Sequence, residues 1–231
     1  MYLLDENEIS FPHPSLSNED GVLAFGGDLS PQRLLFAYEN GIFPWFNEGD
    51  PIVWWSPDPR FVLYPEDLKV SKSMRPYFNQ GKFQVTFDTV FQDVIENCKL
   101  SSRSGQEGTW ITDDMVSAYV KLNELGFAHS VEVWDNEVLV GGLYGISLGK
   151  CFFGESMFQK KSNASKFGFI TLVRKLKSIG FNLIDAQTPT KHLESLGAIN
   201  IPRKDFLEIL EKNKKEKTLR GNWNELLNNV K

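Results

Sequence analysis

The chain of 231 residues has two cysteines, three histidines and no long apolar run. Cys98 and Cys151 cannot build a disulfide framework and do not have the spacing of a zinc site. His13, His129 and His192 stand isolated, in no Ser/His/Asp or Cys/His order that would mark a nucleophilic centre. No segment approaches the roughly 20 apolar residues that a membrane span requires. The first ten residues, MYLLDENEIS, have neither a basic n-region nor an apolar h-region, so no secretion signal is expected. The phosphate-cradling patterns GxxxxGK[ST] and GxGxxG are missing, and there is no repeat. The expectation is a cytoplasmic globular chain.

Aromatic residues are plentiful, at 13% of the chain with 18 Phe and 6 Trp. Hydrophobic content of 41% and charged content of 24% are ordinary for a chain that folds around a core. The formal net charge is −5, from 25 basic and 30 acidic residues, which argues against non-specific coating of nucleic acid. The charge is lopsided. Residues 1–60 carry ten acids and two bases, whereas residues 201–231 carry five acids and eight bases. An acidic amino-terminal quarter and a mildly basic tail follow.

Ser30 and Pro31 followed by QRLLFAYEN and Gly41 predict a short capped helix. Residues 41–60 hold four of the eleven prolines and three of the six tryptophans, and read as ordered loop with short strands. Residues 83–87 read as a strand leading into a helix capped by Asp88, with Phe91, Val94, Ile95 and Cys98 on one face. Another helix starts at Thr112, with Val116, Tyr119, Val120 and Leu122 inward. HSVEVWD, NEVLVGGLYGISLG and KCFFGESMF, separated by turn pairs, predict an antiparallel meander. Residues 163–179 form an amphipathic helix, FNLIDAQ a buried strand, and 203–213 a last helix before a charged tail. The element order over 112–210 resembles the GNAT type of acyltransferase fold, in which the substrate lies where two neighbouring strands splay. The fold class expected is α+β: a small amino-terminal α/β domain over 1–65, then a GNAT-like domain over 66–231 with a mostly antiparallel mixed sheet flanked by helices.

Three places offer chemistry. Asp185 and Gln187 lie two apart in FNLIDAQ, so on a strand they share a face. A carboxylate that orients an amide, and an amide that accepts a hydrogen bond from an amine, suit amine attack on an ester. A strand-end pair tying down the next turn is the plainer reading. Glu155 lies in FFGESMF with Phe153 and Met157 on its face and Phe152, Gly154, Ser156 and Phe158 on the other. A carboxylate in so apolar a run is either paired or at a site. Trp45 and Trp110 occupy loops, where flat rings stack on bases or sugars as well as filling cores.

Several strings together resemble one family: GVLAFGGDLSPQRLLFAYENGIFPWF (21–46), PIVWWSPDPRFVL (51–63), GTWIT (108–112), AHSVEVW (128–134), LVGGLYG (139–145), FGESMF (153–158), NASK (163–166) and LIDAQ, HLESLGA and IPR within 183–203. They are similar to the bacterial leucyl/phenylalanyl-tRNA–protein transferases, over about residues 11–210. The resemblance implies transfer of Leu or Phe, and less well Met, from Leu-tRNA or Phe-tRNA to the α-amino group of proteins that begin with Lys or Arg. That product marks a protein for degradation. No metal or organic cofactor is implied; no membrane and a monomer are the accompanying expectations. By position, Asp185, Gln187 and Glu155 match the reaction site, and Phe152 and Met157 the aminoacyl pocket, with Phe169, Leu172, Leu176 and Ile184 as further walls. Trp45, Trp110, Tyr38 and Tyr119 match residues around the terminal adenosine of the tRNA. Lys72, Arg75 and Lys82 are what remains here of a basic stretch that holds the tRNA. Ala186 stands where relatives usually have Cys, and strand alternation would turn it away from the pair. Lys212, Lys214, Lys215, Lys217 and Arg220 of the tail could add positive charge.

Two other readings compete. A coenzyme-A-dependent N-acetyltransferase would show an RxxGxG-like loop after the long strand, where this chain has QKKSNASKFG. A Trp-rich binding module without catalysis would have no use for a matched Asp185 and Gln187.

Overall fold

The computed structural model describes residues 2–101 and 111–228. The aromatic, proline-rich amino-terminal part builds a four-stranded sheet in the order β1-β2-β4-β3. Its strands are β1 (Tyr2–Leu4), β2 (Val22–Gly26), β3 (Phe43–Pro44) and β4 (Val53–Trp55), the last two kept short by the flanking prolines. Helix α1 (Pro31–Glu39) starts where expected: the Ser30 hydroxyl accepts from the Arg33 N–H, and Gly41 at φ +74° lies just past its end.

The larger sheet has seven strands in the order β11-β5-β10-β9-β8-β7-β6. They are β5 (Arg60–Leu63), β6 (Gln84–Phe87), β7 (Ala128–Asp135), β8 (Val138–Leu148), β9 (Cys151–Gln159), β10 (Leu183–Asp185) and β11 (Ile199–Ile201). The predicted meander is β7-β8-β9, and β9–β10 is the one parallel pair in this sheet. The remaining helices are α2 (Arg75–Asn79), α3 (Phe91–Leu100), α4 (Asp113–Glu124), α5 (Ala164–Ser178), α6 (Lys191–Glu194), α7 (Arg203–Asn213) and α8 (Trp223–Asn228). From α4 to α7 the order is the one expected of a GNAT-type domain. Two buried clusters flank the sheet: one gathers α1, α3, α4 and α7, the other α5 and α8.

The structure departs from the sequence reading at four places. Arg60–Leu63, on the amino-terminal side of a boundary at 65, pairs with β10 and β11 of the larger sheet; all four of its residues are buried. Asp88 does not cap α3. It sits at φ +51° and accepts from the backbone of Ser130 and Trp223 and from His129 Nδ1, at 2.7–2.8 Å. A buried carboxylate takes the donors nearest it, and those came from β7 and α8. In α4 the inward stripe is Met115, Tyr119 and Leu122, while Val116 and Val120 stay half-buried. The charged tail holds a further helix, α8, anchored by a fully buried Trp223 that stacks on His129 with centroids 3.8 Å apart. Arg220, on the tail, is exposed and donates through Nε to the Leu125 carbonyl at 2.7 Å. No helix among the described residues is long and apolar enough to cross a membrane.

Candidate active site

Strand β10 pairs with β9 only across Cys151–Phe153 and ends at Asp185, whereas β9 runs on to Gln159. The sheet therefore opens between them. The opening is a cavity of about 460 Å³. Its lining includes the apolar Leu143, Phe152, Met157, Phe169, Ile184 and Leu193 and the polar Glu155, Gln187, Thr188, Thr190 and His192.

A bulge in β9 aims the carboxylate. Tyr144 pairs with Ser156 and Gly145 with Gly154, so Glu155 has no residue opposite it on β8. The extra residue reverses the alternation downstream. Phe152 and Met157 consequently lie in the same cluster, with Phe169 and Ile184, while Phe153 and Phe158 lie in the other. Plain alternation puts Phe153 with Met157 and sets Phe152 apart, and the structure corrects that. Gly145 is required opposite the bulge, because a Cβ there would collide with the Phe153 carbonyl and the Phe152 ring.

Three protein donors reach Glu155. Tyr38 donates to Oε1 at 2.7 Å, Gln187 Nε2 donates to Oε1 at 3.2 Å, and Tyr119 donates to Oε2 at 3.1 Å. The two tyrosine oxygens are also within hydrogen-bond reach of each other, and while Glu155 is ionised their two protons serve two of these three contacts at a time. Burial pushes the Glu155 carboxyl up to about 7; the tyrosine donors pull it down, nearby Asp185 pushes it up and Arg60 pulls it down. Burial also raises both tyrosines well above their ordinary range, with the Glu155 charge adding to it, so they stay protonated donors.

Asp185 is arranged differently. Arg60 Nε and Nη2 donate to its two oxygens at 2.8 and 2.6 Å, and both side chains are sealed from solvent. Arg60 Nη1 donates to the Gly41 carbonyl at 3.2 Å, and its guanidinium lies 4.8 Å from the Phe43 ring centroid and 4.7 Å from that of Phe206. Gln187 lies beyond the strand at φ +55°, so strand alternation does not relate it to Asp185. Its backbone N–H donates to Asp185 Oδ1 at 3.0 Å, which pins the turn that carries the amide to Glu155. Ala186, expected to face away, lines the cavity for the same reason: the strand has already ended.

Among the expected pocket walls, Phe152, Met157, Phe169 and Ile184 line the cavity. Leu172 and Leu176 do not; they continue the face of α5 that carries Phe169, about one and two turns further along, and are fully buried in the core. Trp45 stands at the cavity with partial exposure. Tyr38 and Tyr119 are 0% exposed, their rings packed edge-on against Phe153 and Tyr144, so neither has a face free for a base. Their hydroxyls reach Glu155. Trp110 lies outside the described residues. Lys72, Arg75 and Lys82 are exposed.

Two residues were missed. Arg60 had a signal: a charge beside the wholly apolar run FVL needs a buried partner. His192 had none. It lines the cavity, its Nε2 is buried with no hydrogen-bond partner among the described residues, and burial together with Lys166 lowers its pKa. Among the described residues no group of three or more His, Cys, Asp or Glu converges in a way that could hold a metal.

Comparison with known proteins gives a consistent result. The family profile described as leucyl/phenylalanyl-tRNA protein transferase matches residues 62–211, and the profile of that transferase's N-terminal domain matches 27–58. A leucyl/phenylalanyl-tRNA–protein transferase from Christiangramia forsetii is 59% identical over 91% of this chain and 100% of its own length. The one from Syntrophus aciditrophicus is 56% identical over 93% of this chain and 90% of its own. Among solved structures, a GCN5-related N-acetyltransferase from Kribbella flavida matches with a TM-score of 0.35 and 10% identity, over 74% of this chain and 60% of that one, too slight a likeness to carry an inference. At these identities and coverages the chain belongs to the leucyl/phenylalanyl-tRNA protein transferase family.

Proposed function

We propose that this chain transfers Leu or Phe, and less well Met, from aminoacyl-tRNA to the α-amino group of proteins beginning with Lys or Arg, in the cytoplasm and as a monomer. The observation that carries the reading is a carboxyl pushed up to about 7 by burial and held by one amide and two hydroxyls, in the wall of a largely apolar cavity. The Leu or Phe side chain packs in the cavity against Phe152, Met157, Phe169 and Ile184. Each methylene buried there discriminates by roughly 1–3 kcal/mol. The ester then lies beside Glu155.

An N-terminal amine has a pKa of roughly 8, so modest help makes it a nucleophile at neutral pH. Its nitrogen attacks the ester carbonyl and Glu155 takes the proton. The carbonyl–oxygen bond to the ribose breaks, and the proton passes to the leaving oxygen. The Gln187 amide donates to Glu155 through Nε2, which leaves its oxygen for the incoming amine. Asp185 and Arg60 act by holding that turn. Trp45 offers a ring to the terminal adenosine, Lys72, Arg75 and Lys82 offer charge to phosphates, and the acidic first sixty residues attract the cationic acceptor.

The test is to mix the protein with Phe-tRNA carrying labelled Phe and a peptide beginning with Arg. Label in the peptide is expected. No label there, with acetyl transfer from acetyl-CoA instead, would replace this reading with that of an N-acetyltransferase.

A further inference from the structure

We propose that the same site also hydrolyses the aminoacyl ester when no acceptor amine is present, with water taking the amine's place at Glu155. This second activity rests on the reading above. A carboxylate offers about four acceptor positions. Oε1 of Glu155 accepts from Tyr38 and Gln187, and Oε2 accepts from Tyr119 alone, so one position on Oε2 is open among the described residues. That position receives a proton from an O–H as readily as from an N–H. The donors that hold the carboxyl belong to the protein, so the base is assembled before any acceptor arrives.

The cavity has the room. A side chain seated against Phe152, Met157 and Phe169 occupies part of the cavity of about 460 Å³ and leaves room for a water, which needs about 30 Å³. Thr188, Thr190, Gln187 and Glu155 all line the cavity, enough polar groups to hold a water. The charged and titratable groups around Glu155 are Tyr38 from α1, Tyr119 from α4, Asp185 from β10 and Arg60 from β5. The last two neutralise each other.

The step balances. The water oxygen bonds to the ester carbonyl carbon while Glu155 takes one of its protons. The bond from that carbon to the ribose oxygen breaks, and the same proton goes to the leaving oxygen. Free amino acid and uncharged tRNA result. An amine is the stronger nucleophile, so transfer wins whenever an acceptor is bound.

The experiment uses the full chain in excess over Phe-tRNA bearing labelled Phe, without peptide, beside an enzyme-free control. Release of free Phe is expected at about a hundred times the spontaneous rate or more, the usual scale of general-base help. Glu155→Gln should return it to the control rate. A puromycin-like amide of Phe, which competes for the cavity, should block release in the unaltered protein, so the test does not depend on the variant folding. Adding the Arg-initiated peptide should divert label into the peptide. Peptide transfer at full rate with release no faster than the control would overturn hydrolysis alone. Absence of both would overturn the transferase reading as well. Release that survives both Glu155→Gln and the amide would show that this site is not its source.

Discussion

Glu155 and Asp185 are neighbouring carboxyls held by opposite means. Asp185 meets a guanidinium that bonds both its oxygens, and the pair is sealed from solvent. Glu155 meets two hydroxyls and an amide, and keeps partial exposure beside the cavity. A guanidinium that bonds both oxygens ties a carboxylate into the scaffold. Neutral donors offset burial incompletely and leave the group poised between two states. The comparison teaches that burial alone does not mark a reactive carboxyl; the kind of partner does. On this account Asp185 shapes the turn and Glu155 moves the proton.

The largest expected effect concerns Asp185. Arg60→Met leaves a buried carboxylate unpaired and should destabilise the fold by about 3–5 kcal/mol, read as a lower urea midpoint. Arg60→Met with Asp185→Leu should recover most of that loss. A single variant as stable as the parent would break the contrast, because Asp185 would then not depend on its guanidinium.

Next in size is the pH dependence set by Glu155. Its carboxyl lies at about 7 in the folded protein against an ordinary 4.5, so the folded state binds the proton more tightly. That contribution to stability is complete below about 4.5 and is lost as pH rises to about 7. Glu155→Gln should therefore gain stability relative to the parent between pH 5 and pH 8, on the order of 3 kcal/mol. A stability difference that stays constant over this range would mean that Glu155 titrates like an exposed carboxyl.

The smallest effect sharpens the comparison. Tyr119→Phe removes a hydrogen bond that favours the ionised carboxylate. The pH midpoint of peptide transfer should move upward while the apolar pocket keeps its preference for Phe. A midpoint that moves down, or does not move, would remove Tyr119 from the control of Glu155.

Much of the scaffold was legible because it is local. The Ser30 cap, the meander turns and the stripe of α5 depend on residues close in sequence. The pocket residues Phe152 and Met157 were found through resemblance, yet their shared face was not readable from spacing. It depends on a bulge that exists only in the pairing of β9 with β8. Gln187 was read as a strand residue because nothing in FNLIDAQ shows that the ladder stops at Asp185. The partnership of Arg60 with Asp185 joins residues 125 apart and needs β5 inside the larger sheet, which sequence order does not indicate. Tyr38 and Tyr119 were matched to the adenosine, but their rings are sealed and only their hydroxyls reach the site. The residues were in view in most of these cases; their roles came from contacts distant in sequence.

The most direct test of the central claim is the pH profile of single-turnover Phe transfer to an Arg-initiated peptide, measured for the parent protein and for Glu155→Gln. The account predicts a rate that rises with pH through a midpoint near 7 in the parent, and a variant slower by about 10²–10⁴-fold that lacks this rise and keeps only the later one set by the acceptor amine at roughly 8. A variant that keeps both the rate and the rise would contradict it.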